Sequence, residues 1–194
     1  MFLNLKALRM KTLIEKTFQV EEPAAKTWEY LSDPAKIVNC VPGASLTEKI
    51  DDSRYKGEVV AKFGPVKARY NGEITIEASD DSTYKMVLKG KGLDAKGKGS
   101  AEMQMHGKLN ENANGTEVDF SMELAITGML AQFGARLIKD VSDQLLNQFI
   151  TNFKDLLQGK DVDNSMNAGK VMGTMVKHKL GGIFGEEKKD SENS

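Results

Sequence analysis

Apolar and polar side chains alternate regularly over long stretches of the chain. Between Val66 and Ala78 every even position is apolar, aromatic or small, and every odd position is polar or charged. Successive side chains of a β-strand point to opposite faces, so this segment predicts a strand with one buried and one solvated face. Such one-sided strands, separated by short turns, predict an antiparallel sheet of about six or seven strands. Similar alternation occurs within residues 14–20, 55–63, 84–88, 101–109 and 118–126.

Two short helices are predicted after the first strand, and one long helix after the last. The segment Glu21–Pro23 places acidic residues and a proline in a first helical turn, and Asp33 with Pro34 opens a second helix. From Leu130 to Leu157 the apolar positions follow a helical period, which predicts an amphipathic helix of about 28 residues. This helix is the only predicted element that can cover the buried face of the sheet. We therefore expect an α+β helix-grip fold, an antiparallel sheet wrapped around a long C-terminal helix.

The same pattern divides the chain into one domain and a tail. Residues 10–158 carry the predicted sheet and helices. Residues 1–9 lack the small-residue cleavage site of a signal peptide, so we interpret them as an N-terminal extension or a misplaced start. Gly, Asp, Asn and Ser predict a linker over 159–169. An amphipathic helix is predicted over 170–185, and a disordered polar end over 186–194.

The predicted tail helix combines apolar residues at helical spacing with lysines. This combination is typical of a segment that binds a membrane surface or a partner groove. A frayed tail is the alternative, which Gly173, Gly181 and Gly182 favour. The residues predicted to make the contact are Lys170, Met172, Met175, Val176, Lys177, Lys179, Leu180, Ile183 and Phe184.

Overall charge and cysteine content narrow the class of protein. The 27 basic and 28 acidic residues give a net charge of -1, which is not the signature of a nucleic-acid-binding protein. The single cysteine, Cys40, excludes an internal disulfide and fits a reducing compartment. No apolar run approaches the roughly 20 residues that a membrane span needs. We expect a cytoplasmic protein.

The buried face of the sheet contains many small or flexible side chains, among them Gly57, Gly72, Gly90 and Gly107. Such residues fit a filled core, in which methionines occupy irregular gaps, and equally a hollow core that binds an apolar ligand. If the interior is hollow, strand parity and helix period predict the lining. The candidate ligand-binding residues are Phe63, Tyr70, Met86, Met103, Phe120 and Met122 on the sheet, and Phe133, Leu137 and Val141 on the helix.

Residues with catalytic or metal-binding potential are scarce. The segment Gly92–Gly99 resembles a phosphate-binding loop, but it ends in glycine where that loop needs Ser or Thr, and it joins two predicted strands. We interpret it as a hairpin. His106, His178 and Cys40 are too far apart in the sequence to predict a metal site or an activated nucleophile. Charged side chains fall on the solvated face, with Lys16 and Glu102 ambiguous, so we expect no catalytic residue and no metal.

Several segments carry a resemblance to known proteins. The order of elements, with Trp28–Pro34 (WEYLSDP) on the first helices, resembles the START-like superfamily of polyketide cyclases and lipid carriers. Within that superfamily, three segments resemble the G-subunit family of carbon monoxide dehydrogenase. They are Cys40–Ala44 (CVPGA), Gly64–Gly72 (GPVKARYNG) and Gly128–Ile138 (GMLAQFGARLI). The resemblance covers about residues 10–157.

This resemblance implies a function for the domain. It implies a non-catalytic accessory protein of molybdenum hydroxylases such as carbon monoxide dehydrogenase, which recruits the enzyme to the inner face of the cytoplasmic membrane. It also implies a pocket for a hydrophobic molecule, such as a quinone or a lipid, and no covalently bound cofactor. Two alternatives stay open. One is an enzyme of the cyclase or hydrolase kind on the same fold, and the other is an adaptor with a filled core.

Overall fold

The computed structural model describes residues 9–63, 66–162 and 164–165, without the side chains of Phe63 and Val66. The predicted tail helix at 170–185 and the predicted polar end at 186–194 lie outside these residues. No helix in the described ranges has the length and apolar composition that crossing a bilayer requires.

Seven strands form one antiparallel sheet, as the alternation predicts, in the order β1-β7-β6-β5-β4-β3-β2. The helices α1 and α2 and a 3₁₀ turn connect β1 to β2, and a second 3₁₀ turn and α3 follow β7. The strands are β1 Arg9–Val20, β2 Ala44–Lys49, β3 Arg54–Phe63, β4 Val66–Asp80, β5 Lys85–Asp94, β6 Ser100–Asn112 and β7 Gly115–Thr127. The helices are α1 Ala24–Leu31, α2 Pro34–Ile37 and α3 Gly134–Leu157, with 3₁₀ turns at Val38–Cys40 and Gly128–Phe133.

A row of small residues crosses the middle of the sheet. Gly57 on β3 lies opposite Gly72 on β4, which lies opposite Gly92 on β5, which lies opposite Ala101 on β6. The strands approach closely here, because a Cβ atom added to Gly72 would lie 2.1 Å from the Lys91 carbonyl oxygen. Side chains in this row would hold the backbones apart, so their absence lets the sheet curve.

The curvature is visible in one buried cluster that contains Met10 on β1 and Ala68 on β4. Four strand spacings separate these strands in the sheet order, which is about 19 Å in a flat sheet. Both residues nevertheless belong to the cluster of Leu130, Ala131 and Ile138. The sheet therefore curls around the second 3₁₀ turn and the first turns of α3.

The long helix begins later than the periodicity predicts. Residues 128–133 form a 3₁₀ turn, and α3 runs over 24 residues from Gly134. Gly134 has φ 78° and ψ 159°, a conformation open in practice only to glycine, so the backbone changes direction there. The prediction of one continuous helix from Leu130 is therefore wrong in its first turn.

Helix α3 packs on one side of the concave face. Within the described residues its backbone runs close to β1 and to the first 3₁₀ turn, and not along β3, β4 or β5. At its C-terminal end, Phe153 and Leu157 are buried with Val20 and Cys40. The Asn152 side-chain amide donates a hydrogen bond of 3.1 Å to the Cys40 carbonyl oxygen. A third cluster, of Trp28, Met86, Leu109 and Val118, joins α1 to β5, β6 and β7.

The chain beyond α3 turns back onto the domain. The Gly43 amide donates to the Asn164 carbonyl oxygen at 2.8 Å, and the Asn164 side-chain amide donates to the Ala44 carbonyl oxygen at 3.3 Å. The Gln148 side-chain amide on α3 donates to the Ser165 carbonyl oxygen at 2.9 Å. The described part of the predicted linker is thus attached to both α3 and β2.

Replacing Gly72 by alanine tests the close approach of the strands. We expect G72A to lower the free energy of unfolding by about 1–3 kcal/mol, because the new Cβ atom must displace the backbone at Lys91. The matched control is G107A on β6, where an added Cβ atom meets nothing within 4 Å. That variant should be unchanged or more stable by up to about 1 kcal/mol. Urea unfolding measures both, and equal losses would contradict the account.

Candidate functional site

The middle of the concave face is incompletely filled. Several apolar side chains there are only half-buried and, like Phe120, belong to none of the three buried clusters of the described residues. The others include Ile74, Ile76, Met103, Met105 and Met122. An added Cβ atom on Gly107, which lies opposite Phe120 on this face, would meet no atom within 4 Å. Because ordinary protein interiors are close-packed, these residues border open space.

The predicted sheet residues take different positions around this space. Met103, Phe120 and Met122 are half-buried on the concave face. Tyr70 is also half-buried and packs against the cluster that contains Ala68. Met86 is buried in the cluster of Trp28 and is therefore part of the filled core. The side chain of Phe63 lies outside the described residues.

The predicted helix residues also separate into two groups. Phe133 lies in the 3₁₀ turn and packs against the cluster of Ile138. Val141 is half-buried on α3, and Leu137 retains 37% of its exposure to solvent.

The sequence prediction named neither Ile74 nor Met105 as a ligand-binding residue. Their strand parity was the signal that could have found them.

Lys16 places a charged side chain on the concave face. Lys16 is half-buried on β1 directly opposite Phe120, and it forms no ion pair within the described part of the chain. Glu102, the other ambiguous residue, lies on the outer face and forms an exposed ion pair of 3.5 Å with Arg9. Lys16 therefore adds a hydrogen-bond donor to a surface that is otherwise mostly apolar.

Burial changes the pKa of the Cys40 thiol and of the Tyr70 hydroxyl. Burial raises the pKa of the Cys40 thiol to about 11, so the thiol stays protonated and unreactive near neutral pH. Burial and, secondarily, the Asp94 carboxylate raise the pKa of the Tyr70 hydroxyl above its ordinary value. Among the described residues, no group of three or more His, Cys, Asp or Glu side chains could hold a metal ion.

The glycine-rich segment between β5 and β6 is a hairpin turn, as predicted. The Asp94 carboxylate accepts hydrogen bonds from the amides of Lys96 and Lys98. The turn packs on the end of β7, since a Cβ atom on Gly128 would lie 1.8 Å from the Lys98 carbonyl oxygen. Two amides that a phosphate would need are thus already bonded within the turn.

A separate depression of about 420 Å³ lies on the outer face of the sheet. Charged side chains of both signs line it around the exposed Leu13. The charged residues are Arg9, Lys11, Lys89, Lys91, Glu102 and Glu123. Such a charged, open surface is a poor site for an apolar molecule, whose binding relies on apolar burial. The concave face is therefore the better candidate for ligand binding.

Comparison with solved structures places this architecture in a known class. A conserved protein from Geobacillus kaustophilus is 22% identical with a TM-score of 0.62, over 78% of this chain and 96% of that chain. An uncharacterized protein from Rhizobium leguminosarum is 10% identical with a TM-score of 0.56, over 78% and 97%. The Zhui aromatase/cyclase from a Streptomyces species is 10% identical with a TM-score of 0.51, over 75% and 94%. A search of curated proteins finds no significant match.

The curved seven-stranded sheet, the long C-terminal helix and the incompletely filled concave face define a helix-grip domain of the START-like class. A family model narrows this class further. The model of CoxG, the G-subunit of carbon monoxide dehydrogenase, matches residues 17–158. The chain belongs to this carbon monoxide dehydrogenase CoxG family, as the resemblance of its segments predicts.

The buried thiol predicts a specific pH dependence of stability. An unfolded chain loses the Cys40 proton above pH 9.0, whereas the folded chain keeps it to about pH 11. The unfolded state therefore binds fewer protons in this window, and stability falls as the pH rises through it. We expect the Cys40 contribution, about 3 kcal/mol, to be complete below pH 9 and lost by about pH 11.

Urea unfolding of the unmodified protein and of C40A at several pH values measures this contribution. The C40A variant, which has no thiol, should lose less stability between pH 9 and 11. Parallel curves for the two proteins would contradict the burial of the thiol.

Proposed function

We propose that this protein is a non-catalytic accessory protein that holds a hydrophobic molecule between its sheet and α3. In this proposal it recruits a molybdenum hydroxylase, such as carbon monoxide dehydrogenase, to the inner face of the cytoplasmic membrane. The observation that carries the binding function is the open space on the concave face beside Gly107, Met105 and Met122. An apolar molecule would restore the packing that this face lacks.

The chemistry of the lining favours a quinone or a lipid. Methionine and isoleucine side chains offer a deformable apolar surface that adapts to a ring or an acyl chain. Lys16 and Tyr70 are polar groups at the edges of this surface, and each can donate a hydrogen bond to a carbonyl or carboxylate oxygen. A quinone and a fatty acid both combine an apolar body with such oxygens.

The family name and the composition of the tail support the proposed partner and the proposed membrane attachment. The family name refers to a component of carbon monoxide dehydrogenase, which supports that class of enzyme as the partner. The tail at 170–185 supplies lysines and apolar residues suited to an anionic membrane surface. Three lysines that contribute about 1 kcal/mol each would give reversible attachment.

An enzyme on the same fold is the second candidate, because the Zhui aromatase/cyclase shares the architecture. Such an enzyme needs polar groups aimed at its substrate, and Lys16 and Tyr70 are the groups on the concave face that fit this role. Turnover of a polyketide-like substrate that is lost in K16M or Y70F would favour this candidate. An adaptor with a filled core is a third possibility, and it requires that no apolar molecule binds.

Filling the open space tests ligand binding. We expect G107L to keep its fold and to bind decylubiquinone or a fatty acid at least about tenfold more weakly, because the leucine side chain would occupy the space beside Met105 and Met122. The matched control is K108L, which places the same side chain on the outer face one residue away. Isothermal titration calorimetry measures the affinities. Unchanged affinity in a folded G107L protein would exclude this site.

Neutralising the tail tests membrane binding. We expect replacement of Lys170, Lys177 and Lys179 by glutamine to weaken binding to phosphatidylglycerol vesicles about a hundredfold at low salt, since roughly 3 kcal/mol of attraction is removed. The control carries glutamine at Lys11, Lys85 and Lys108, three exposed lysines on the outer face of the sheet. Vesicle co-sedimentation measures both. Equal binding by the two variants would contradict a membrane role for the tail.

A further inference from the structure

The strands of the antiparallel sheet run between two opposite ends of the domain. The starts of β1 and α3 lie at one of these ends, since Arg9 pairs with Thr127, after which the chain leads into α3. The β5–β6 turn lies at the same end, where the Ala95 amide donates a hydrogen bond of 2.7 Å to the Arg69 carbonyl oxygen near the start of β4. We call this end, with the starts of β1, β4 and α3 and the β5–β6 turn, the basic end.

Exposed basic side chains gather at the basic end although they are far apart in the sequence. Lys67 lies one residue after the start of β4, and Lys96 and Lys98 lie in the β5–β6 turn. Arg136 lies in the first turn of α3, which contains no acidic residue. Among the described residues, none of these four exposed side chains forms an ion pair. Their positive charge is therefore available to an anionic partner.

Acidic side chains at the basic end are few, and they already have partners. The Asp94 carboxylate accepts hydrogen bonds from two amides of its own turn, and Glu58 pairs with Arg69 at 3.1 Å. Lys62 and Lys67 lie directly opposite each other on β3 and β4. Because like charges in directly opposite positions destabilise a sheet, this arrangement is not explained by the stability of the fold.

The opposite end of the domain, which we call the acidic end, has the reverse charge. It contains the connection at 21–23 and the turns at 50–53, 81–84 and 113–114, and no basic residue lies in these described connections. Their acidic residues are Glu21, Glu22, Asp51, Asp52 and Asp81. The net charge of -1 thus conceals a separation of charge along the strands. Such a separation orients a protein in the field of a charged surface.

Exposed apolar side chains follow the same asymmetry. The large apolar residues that stay exposed in the described structure are Leu13, Val59, Leu93 and Leu137, and all four lie in the half of the domain nearer the basic end. Leu93 retains 68% of its exposure one residue before Asp94, and Leu137 directly follows Arg136. Apolar side chains among basic ones are typical of a surface that binds anionic lipid.

The distribution of the apolar side chains favours a membrane over a protein partner. Leu93 lies on the outer face of the sheet, Val59 on the concave side of β3, and Leu137 on α3. They surround the basic end and form no single contiguous patch of the kind that marks a protein–protein interface. A bilayer surface is fluid and contacts side chains on every side of the end that approaches it.

The described linker leads back toward the basic end. Helix α3 begins at the basic end and finishes at Leu157, which is buried with Val20 at the far end of β1. The chain then reverses, because the Ser165 carbonyl oxygen accepts a hydrogen bond from Gln148, nine residues before the end of α3. Those nine residues correspond to about 14 Å along the helix.

We propose that the basic end is a docking surface for the anionic lipid headgroups of a membrane, with Leu93 and Leu137 in contact with the bilayer. The strands and α3 then point toward the membrane, and the acidic end faces away from it. This proposal rests on the membrane attachment in the proposed function, and it adds a contact that the folded domain makes itself.

Charge removal at the basic end of the full-length protein tests this proposal. The variant carries K67Q, K96Q and K98Q. The matched control removes three exposed lysines nearer the acidic end, with K85Q, K108Q and K154Q. We expect the first variant to bind phosphatidylglycerol vesicles at least about tenfold more weakly at low salt, and the control no more than about twofold. Vesicle co-sedimentation measures both, and circular dichroism checks that both are folded.

A dye attached to single cysteines shows which surface meets the bilayer. L93C and L137C carry the environment-sensitive dye NBD, and A113C in the β6–β7 turn is the matched control at the acidic end. Cys40 is buried and its thiol stays protonated, so it remains unlabelled. With phosphatidylglycerol vesicles we expect the dye emission of the first two proteins to rise at least about twofold as the dye leaves water. The emission of the control should not change.

Equal binding by the two glutamine variants, or unchanged emission of L93C and L137C on vesicle-bound protein, would overturn the proposal. Loss of binding confined to the K170Q, K177Q and K179Q variant would also overturn it and would leave the tail as the membrane contact. Loss confined to the basic-end variant would support it and would remove the membrane role of the tail.

Absence of vesicle binding would overturn this proposal together with the membrane attachment. If purified carbon monoxide dehydrogenase then bound the unmodified protein and not the basic-end variant, the basic end would be a surface for that enzyme.

Discussion

One helix has to cover the concave face of a seven-stranded sheet, and the rest of the structure depends on this geometric constraint. Strands lie about 4.8 Å apart and a helix is about 10 Å wide, so a single helix can shield only two or three strands fully. The row from Gly57 to Ala101 lets the sheet curl toward α3. At one end of the concave face, the curled sheet brings Met10 and Ala68 into one cluster with Ile138. The middle of the concave face stays incompletely filled.

The position of α3 on the sheet is fixed mainly at one edge and at one end. The helix packs along β1, and its C-terminal half is anchored by Phe153, Leu157 and the bond from Asn152 to Cys40. Beyond the end of α3, Asn164 donates a hydrogen bond to the Ala44 carbonyl oxygen at the start of β2, and the Ser165 carbonyl oxygen accepts one from Gln148 on α3.

Much of this architecture follows from the sequence, because strand alternation and helical period report directly on burial. The alternation that begins at Val66 predicts β4 and its concave side correctly as far as Ile76, and the helical stripe locates most of α3. Beyond Ile76 the prediction is wrong, because a register shift pairs Ala78 with the outward-facing Val87 and leaves Ala78 exposed. The redirection of the backbone at Gly134 could not be predicted, since a glycine within an apolar stripe is compatible with a helix. The position of a residue in the strand alternation also does not show whether other side chains pack fully around it. Met86 and Met103 share the same inward pattern, yet only Met86 is fully buried, under Trp28.

A crystal structure of the protein purified from a quinone-containing host tests the central claim most directly. The account predicts continuous density of an elongated apolar molecule between α3 and the sheet, in contact with Met105 and Met122. It also predicts that this density reaches toward Lys16 or Tyr70. A concave face on which the methionine and isoleucine side chains meet α3 without intervening space or density would contradict the account.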